Sequence, residues 1–490
     1  MTGYIGLLFA VLQMVILIVE CANFRRVCYY ASWSKWRPGA GKFLVSDIDP
    51  HLCTHIIFAF AGFDKGTSTL TTPTRDERTM YAQLNALKTK NPQLITLLAV
   101  GGWNAGSESF SRLTGNPTKR SDFVAALVKQ VKQYDFDGVD IDWEYPQSVE
   151  DKNNYVVLLK DLYSAFKHSQ VQSERLSDYL IACAVPVTQY RLQFYDVPGM
   201  TQYVNFFNVM TYDYHGSWEK HTGYNSPLFK RKAESHGHAT FNTDWAMRHW
   251  VKLGTPKEKL NLGIATYGRS WILNSVHLNG IGAPANKPGQ GQKYSQEAGI
   301  LSYYEICTKL PGGKKLFDSE SRVPYFVDGT LWVSYDSPRS VTEKAQYVKT
   351  NNIGGVMFWT IDFDDFNNQC GGGKYPLLCS VNNVLEGPSA SCSGTVSVKA
   401  ESGRNTANTG TSGGSDISKS LGLNSVVAGS SNANACTDGL HRLENDCSGY
   451  YQCSGGVKYD PQHCPKGLLF HDQHKYCDWP YNVDCKNKTN

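Results

Sequence analysis

From residue 26 onward the chain repeats one pattern: a short, nearly continuous apolar run, then a longer stretch whose apolar positions recur every three or four residues. The short runs are RVCYYASW (26–33), HIIFAFAG (55–62), LITLLAVGGW (94–103) and FDGVDIDWEY (136–145), followed by YLIACAVP (179–186), VNFFNVMTYDY (204–214), LNLGIATYGRS (260–270) and IGGVMFWTIDF (353–363). Runs of this length and composition predict strands buried on both faces. Intervening segments such as SDFVAALVKQVKQY (121–134) and NNYVVLLKDLYSAFKH (153–168) have the spacing of amphipathic helices. Strands alternating with helices predict an α/β fold with a parallel sheet, and eight such units predict a closed (β/α)8 TIM barrel.

The pattern breaks in three places. About eighty residues separate the last two strands, too many for a simple connection. Within them ILSYYEICTKL (300–310), RVPYFVDG (322–329) and TLWVSYDS (330–337) predict a small α+β insertion over about 271–337, placed to wall a cleft beside strand seven. Residues 389–433 are rich in Ser, Thr, Gly and Asn and form a linker unable to bury a core. They divide a barrel domain (23–388) from a small disulfide-rich β module (434–488). At the other end, Gly6–Val19 is mostly apolar and ends near Cys21 and Ala22. Its length suits a signal peptide over residues 1–22, although the missing basic n-region leaves a signal anchor open.

Composition adds compartment and excludes some partners. Six of fourteen cysteines fall in the last fifty-five residues, a density expected of an exported, oxidised chain. Cys183, inside YLIACAVP, reads as a buried core thiol. The net charge of +4 without a basic run argues against nucleic acid, and no later segment is apolar enough to span a membrane. AVGGWNAG is glycine-rich but lacks phosphate-loop spacing, and no metal or dinucleotide motif is present, so no cofactor is expected. A monomer is expected.

The run FDGVDIDWEY carries the chemistry. Alternate strand residues share a face, about 6.6 Å apart, so Asp140, Asp142 and Glu144 would point into the barrel while Val139, Ile141 and Trp143 pack outward. Glu144 falls at the C-terminal tip, where barrel active sites are built. Carboxylates this close cannot all ionise near neutral pH; some must hold or share a proton, as a general acid requires. A solvated acidic strand end or a carboxylate-only cation site would use the same residues.

DGVDIDWEY matches the DxxDxDxE signature of family 18 glycoside hydrolases, the chitinases, and the chain resembles that family over most of residues 24–385. YYASWSKWRPG, FAFAG, AVGGWN, MTYDYHGSW, TYGRS and GGVMFWTIDFDD support the resemblance, in order, at strand ends. It implies that Glu144 protonates the glycosidic oxygen. The substrate's own 2-acetamido oxygen then attacks C1, giving an oxazolinium ion, a known exception to the two-carboxylate scheme. By the same resemblance Asp142 orients the acetamido group, Asp140 shares a proton with Asp142, and Asp137 supports the strand end. Tyr212 donates to the acetamido oxygen, Met210 and Asp213 line the same subsite, and Tyr267 and Arg269 contact the sugars. Trp359 floors the −1 subsite, and Trp33, Trp103 and Trp218, with Asn104 nearby, line an extended groove. Aromatic rings suit the C–H faces of sugars. Trp143, Trp245 and Trp250 read as core or rim residues, and Trp271 and Trp332 stay undecided. Barrel disulfides Cys28–Cys53 and Cys307–Cys370 are implied, leaving Cys379 with Cys392.

The last segment, CSGYYQCSGGVKYDPQHCPKGLLFHDQHKYCDWPYNVDC, resembles peritrophin-type chitin-binding domains. The resemblance implies pairs Cys436–Cys453, Cys447–Cys485 and Cys464–Cys477. Tyr450, Tyr451, Tyr459, Phe470 and Trp479 are candidates to stack on sugars, with Phe470 and Tyr451 assigned to the core and Trp479 to the binding surface. The expectation is a secreted, endo-acting chitinase whose partners are chitin and chito-oligosaccharides. Two rivals stay open: a chitin-binding lectin, disfavoured by the presence of Glu at 144, and an endo-β-N-acetylglucosaminidase acting on N-glycans.

Overall fold

The computed structural model describes residues 24–173, 177–233 and 238–392 and, toward the C-terminus, 439–443, 446–454, 457–458, 461–464, 469–471, 476–478 and 483. The expected signal segment, most of the linker, Cys436, Cys485, Tyr459 and Trp479 lie outside the described residues. The chain divides into two compact units, Met1–Glu401 and Ser402–Asn490.

The first unit is the expected barrel. Strands β1 (Arg25–Ala31), β2 (His55–Ala59), β3 (Ile95–Gly101), β4 (Gly138–Asp142), β5 (Leu180–Val185), β6 (Phe206–Val209), β7 (Leu260–Ala265) and β8 (Gly355–Trp359) close in sequence order. Every pairing is parallel. The strand period of two separates two cores. Outward residues such as Ile56, Phe58, Leu98, Val139, Ile141 and Phe207 join one large cluster with the helices. The inward set holds Val27, Tyr29, Ile57, Ala59, Leu97, Ala99, Ala182, Ala265 and Met357. Four alanines in that set leave room inside for polar side chains. Among the described residues no helix is long and apolar enough to cross a membrane.

Each strand is shorter than its apolar run, because the runs continue into the loops that follow. The largest difference is at strand seven, read as extending to residue 270. The barrel strand ends at Ala265, and after Thr266 the segment Tyr267–Leu273 joins the insertion sheet. There it pairs antiparallel with Ala285–Pro288, Ile300–Ser302 and Leu331–Ser334. No glycine or proline marks the change: the backbone bends at Thr266 alone and its partners switch there. The insertion therefore begins at Tyr267, not near 271. Trp271 and Trp332 are both fully buried in its core, edge to face at 5.4 Å. Trp143 and Trp250 are buried, and Trp245 is half-buried, stacked on His249 at 4.5 Å.

Disulfides Cys28–Cys53, Cys307–Cys370 and Cys379–Cys392 form, and Cys183 is a buried free thiol. The last of these ties Cys392 back to the helix Pro376–Leu385.

In the second unit, Gly439–Leu443 and Asp446–Ser454 form an antiparallel pair, and Leu469–His471 pairs with Tyr476–Asp478. Cys447 and Cys464 are disulfide-bonded, with partners outside the described side chains. Phe470 is buried as expected, but the ring stacked on it at 4.5 Å is Tyr450, not Tyr451. Neighbouring strand residues face opposite ways; Tyr451 is half-buried against His441 on the other face.

Candidate active site

The site is built at the C-terminal ends of the strands, where the extended runs outlast the sheet. In β4, Val139 and Ile141 pack outward into the cluster containing Tyr155, Leu158, Leu159 and Leu162 of the helix Val149–Ser173. Asp140 and Asp142 face the other way and are buried inside the barrel. Asp140 pairs in register with Ala99 and Ala182 on the flanking strands, whose small side chains leave its carboxylate space. Asp137 sits at the opposite end of β4, where it accepts from the Thr96 N–H at 2.8 Å and pairs with Lys88 at 2.8 Å. It anchors the strand and stands away from the chemistry.

The turn after β3 shapes the mouth. Gly101 (φ +121°) lies opposite Asp142, and a β-carbon there would come within 2.0 Å of the Asp142 carbonyl oxygen. Gly102 (φ +77°) would meet the Phe60 ring at 2.6 Å. Only glycine suits both positions. Their backbone lets the Gly102 N–H donate to the Asp142 carbonyl at 2.8 Å and brings the Trp103 N–H to the Glu144 carboxyl. Tyr145 also donates to Glu144.

Burial raises the affinity of all three acids for protons. Asp140 is pushed up to about 7, chiefly by desolvation, against hydrogen bonds from Tyr29 and Asn208. Asp142 is driven well above the carboxylate range by burial first and then by the charges of Glu144 and Asp140. Glu144 is raised to about 7 by burial, opposed by its donors Tyr145 and Trp103 and by the positive charge of Arg191. The distribution of donors is uneven. Asp140 accepts from the Tyr29 hydroxyl at 2.7 Å and the Asn208 amide at 3.4 Å. Asp142 Oδ1 is buried with no partner among the described residues. Such an atom needs either a proton or a donor from outside.

Past β6, Tyr212 is buried, and among the described residues its hydroxyl meets only the Met357 thioether, at 3.6 Å. A thioether is a weak acceptor, so this donor is available to a ligand. Met210 packs against the inner cluster. Asp213 takes left-handed backbone (φ 57°) and accepts three hydrogen bonds, each 2.7 Å: one from the Tyr267 hydroxyl and two from the Arg269 guanidinium. That clamp joins the loop after β6 to the insertion. Arg269 also lies over the Trp218 ring at 5.0 Å.

Aromatic rings surround the mouth. Trp359, at the end of β8, lies 5.1 Å from Tyr29, 6.0 Å from Phe60 and 6.4 Å from Trp33. Trp33 stacks on Phe60. Trp103 and Trp218 are 71% and 60% exposed, far too much for core residues. Asn104 is exposed beside Trp103, and its carbonyl accepts from Lys65 at 3.2 Å.

Several site residues escaped the reading of the sequence. Tyr29 and Asn208 bond Asp140 directly, and Arg191 stacks over Tyr145 at 5.1 Å and over Tyr190 at 5.3 Å. Trp36, 76% exposed beneath Lys35, lies in the same short helix as Trp33, Ser32–Trp36. One signal was present: asparagines inside the apolar runs VNFFNV and LNLGI, since a buried amide demands a partner.

Residues 25–364 match the family described as glycosyl hydrolases family 18, and residues 434–485 match the chitin binding peritrophin-A domain. Mouse chitotriosidase-1 is 38% identical over 473 residues, covering 95% of this chain and 98% of its own. The crystal structure of a group IV chitinase from Ostrinia furnacalis superposes with a TM-score of 0.70 at 37% identity, over 74% of this chain and all of that one. Human YKL-39, described as a pseudo-chitinase with retained chitooligosaccharide binding, superposes with a TM-score of 0.71 at 36% identity, over 74% and 99% of the two chains.

Proposed function

The chain belongs to glycosyl hydrolase family 18 and carries a peritrophin-A chitin-binding domain, and from that premise we propose that it is a secreted, endo-acting chitinase. It cleaves β-1,4 bonds between N-acetylglucosamine units with retention, through an oxazolinium intermediate. The observation that carries this reading is the row of acids in β4 and just beyond it, with Asp140 supplied with donors, Asp142 Oδ1 left without one among the described residues, and Glu144 at the mouth. Glu144, raised to about 7 and held by the Trp103 N–H and the Tyr145 hydroxyl, is a protonated general acid at mildly acidic pH. It gives its proton to the leaving oxygen and then takes one from water.

Asp142 Oδ1, an acceptor without a donor among the described residues, receives the N–H of the substrate's acetamido group and turns its oxygen toward C1. The Tyr212 hydroxyl, with only a thioether beside it, donates to that oxygen. As the five-membered ring closes and positive charge grows on it, the neighbouring Asp140–Asp142 pair supplies the opposing charge. Trp359, Trp33, Trp103 and Trp218 supply flat apolar faces for successive sugars. The C-terminal module holds the protein to insoluble polymer and raises the local concentration of the catalytic domain.

The likeness to a pseudo-chitinase supports a second reading, a chitin-binding lectin. One experiment separates them: incubation of the purified protein and of Glu144→Gln with colloidal chitin, with products identified by mass spectrometry. Chitobiose and short oligomers from the parent, and at least about a hundredfold loss in the variant, support the enzyme. Equal binding with no product from either protein supports the lectin.

A further inference from the structure

A chain of buried amides runs through the barrel floor to Asp140, and it has a direction. The Arg25 Nε donates to Asn261 Oδ1 at 2.9 Å, and Asn261 Nδ2 donates to Asn208 Oδ1 at 2.9 Å. Asn208 Nδ2 then donates to the Tyr29 hydroxyl at 3.2 Å and to Asp140 Oδ1 at 3.4 Å. Asn208 and Asn261 are fully buried, on the inner faces of β6 and β7. A carboxamide has one donor end and one acceptor end, so either asparagine could serve a neighbour in two flipped orientations. A guanidinium has donors only. Its presence at one end fixes the orientation of Asn261, which fixes that of Asn208, which puts an N–H₂ rather than a carbonyl against Asp140.

We propose that Arg25, at the start of β1 and two side chains removed from Asp140, is a positioning residue that sets the polarity of this relay and so keeps Asp140 the more acidic member of the Asp140–Asp142 pair. The inference rests on the functional reading above. Donors from Asn208 and Tyr29 favour ionised Asp140, while Asp142 Oδ1 has no donor among the described residues, so the proton that the pair shares resides on Asp142, next to the substrate. With the relay reversed, the Asn208 carbonyl would face Asp140 and demand a protonated carboxyl, drawing the proton away from where it is used.

The groups facing Asp140 are Tyr29 from β1, Asp142 from its own run, Asn208 from β6, and Tyr155 and Cys183 behind the strand, with Glu144 acting on Asp142 from the far side. The flanking residues in register, Ala99 and Ala182, are apolar. Arg25 also donates to the Glu258 carbonyl and lies over Phe206 at 5.1 Å, contacts that would matter for folding alone.

The test uses the full chain, with chitotetraose as substrate. Arg25→Met removes the fixed donor, Arg25→Lys keeps a donor and the charge, and Asn261→Leu breaks the relay at its middle. Ionised Asp140 is required, so a raised Asp140 pKa moves the acid limb of kcat to higher pH. Arg25→Met and Asn261→Leu should lower kcat about tenfold and move that limb up by about half a unit to one unit. KM should stay within about twofold and Arg25→Lys should restore both values. A second readout needs no turnover: titration of the Asp140 ¹³Cγ resonance in aspartate-labelled protein, with the pKa higher in Arg25→Met than in the parent. If the variants only melt earlier, with pH profiles and ¹³C titrations superimposable on the parent's, Arg25 is structural and the proposal is overturned. If the parent turns over no chito-oligosaccharide, the functional reading fails, and the titration still decides the relay.

Discussion

The two faces of β4 lie side by side on five residues and are built on opposite terms. The outer face, Val139 and Ile141, is apolar, fully buried and locked against the helix that follows. The inner face, Asp140 and Asp142, is equally buried and carries charge-bearing groups, one with a polar oxygen lacking a partner among the described residues. The same backbone thus holds the chain together with one set of alternate residues and stores unfavourable electrostatics in the other. Buried, under-satisfied acids cost stability, and on the proposed function that cost is offset because their displaced pKa values serve proton transfer. On the proposed function, activity should be removable from the inner face without unfolding the barrel, and stability from the outer face without altering the chemistry.

Substitutions on the two faces should therefore give opposite results. The largest effect is expected for Glu144→Gln: kcat falls by about 10²–10⁴, while the midpoint of thermal unfolding stays level or rises, because a buried carboxyl is replaced by a neutral isostere. A fall in the midpoint matching the loss of activity would erase the distinction. On the outer face, Ile141→Ala should cost about 2–5 kcal/mol of stability through the cavity it leaves. The kcat per folded molecule should remain within about threefold of the parent, and parallel denaturation and rate measurements on one preparation read both quantities. Trp33→Ala, at the rim, should raise KM for long chito-oligosaccharides several-fold, for the loss of about 1 kcal/mol of stacking, with little change for chitobiose-length substrates.

The smallest effect sharpens the electrostatic side. Arg191 lowers the proton affinity of Glu144. The general acid must be protonated, so activity falls as pH rises through its pKa of about 7. Arg191→Ala removes a positive charge, raises that pKa, and should move the basic limb to higher pH by a few tenths of a unit. A shift to lower pH would sink the assignment of Glu144 to that limb.

The barrel was legible in the sequence because eight apolar runs alternate with amphipathic stretches, a periodicity few other folds demand. Its boundaries were not. LNLGIATYGRSW keeps strand character across Thr266 while its hydrogen-bond partners change sheets, and composition carries no trace of that change. The acids at 140, 142 and 144 were legible because they are adjacent in one run. The residues that steer them, Arg25, Tyr29, Asn208, Asn261 and Arg191, are contributed singly by other strands and loops. Only closure of the barrel brings them together, so each looks ordinary in its own segment. Tyr450 and Tyr451 make the same point in miniature, since a one-residue choice of face cannot be read from two identical neighbours.

The disulfide between Cys379 and Cys392 has a mechanical consequence. The described part of the barrel unit ends at Cys392, and its sulfur is bonded to the buried helix Pro376–Leu385 thirteen residues earlier. Tension pulled through the chain beyond residue 392 therefore enters the domain at a covalent cleat in that helix. The segment from Glu386 to Ser391 carries none of it, and while that bond is intact peeling from the C-terminal end starts at Cys379 and not at Cys392.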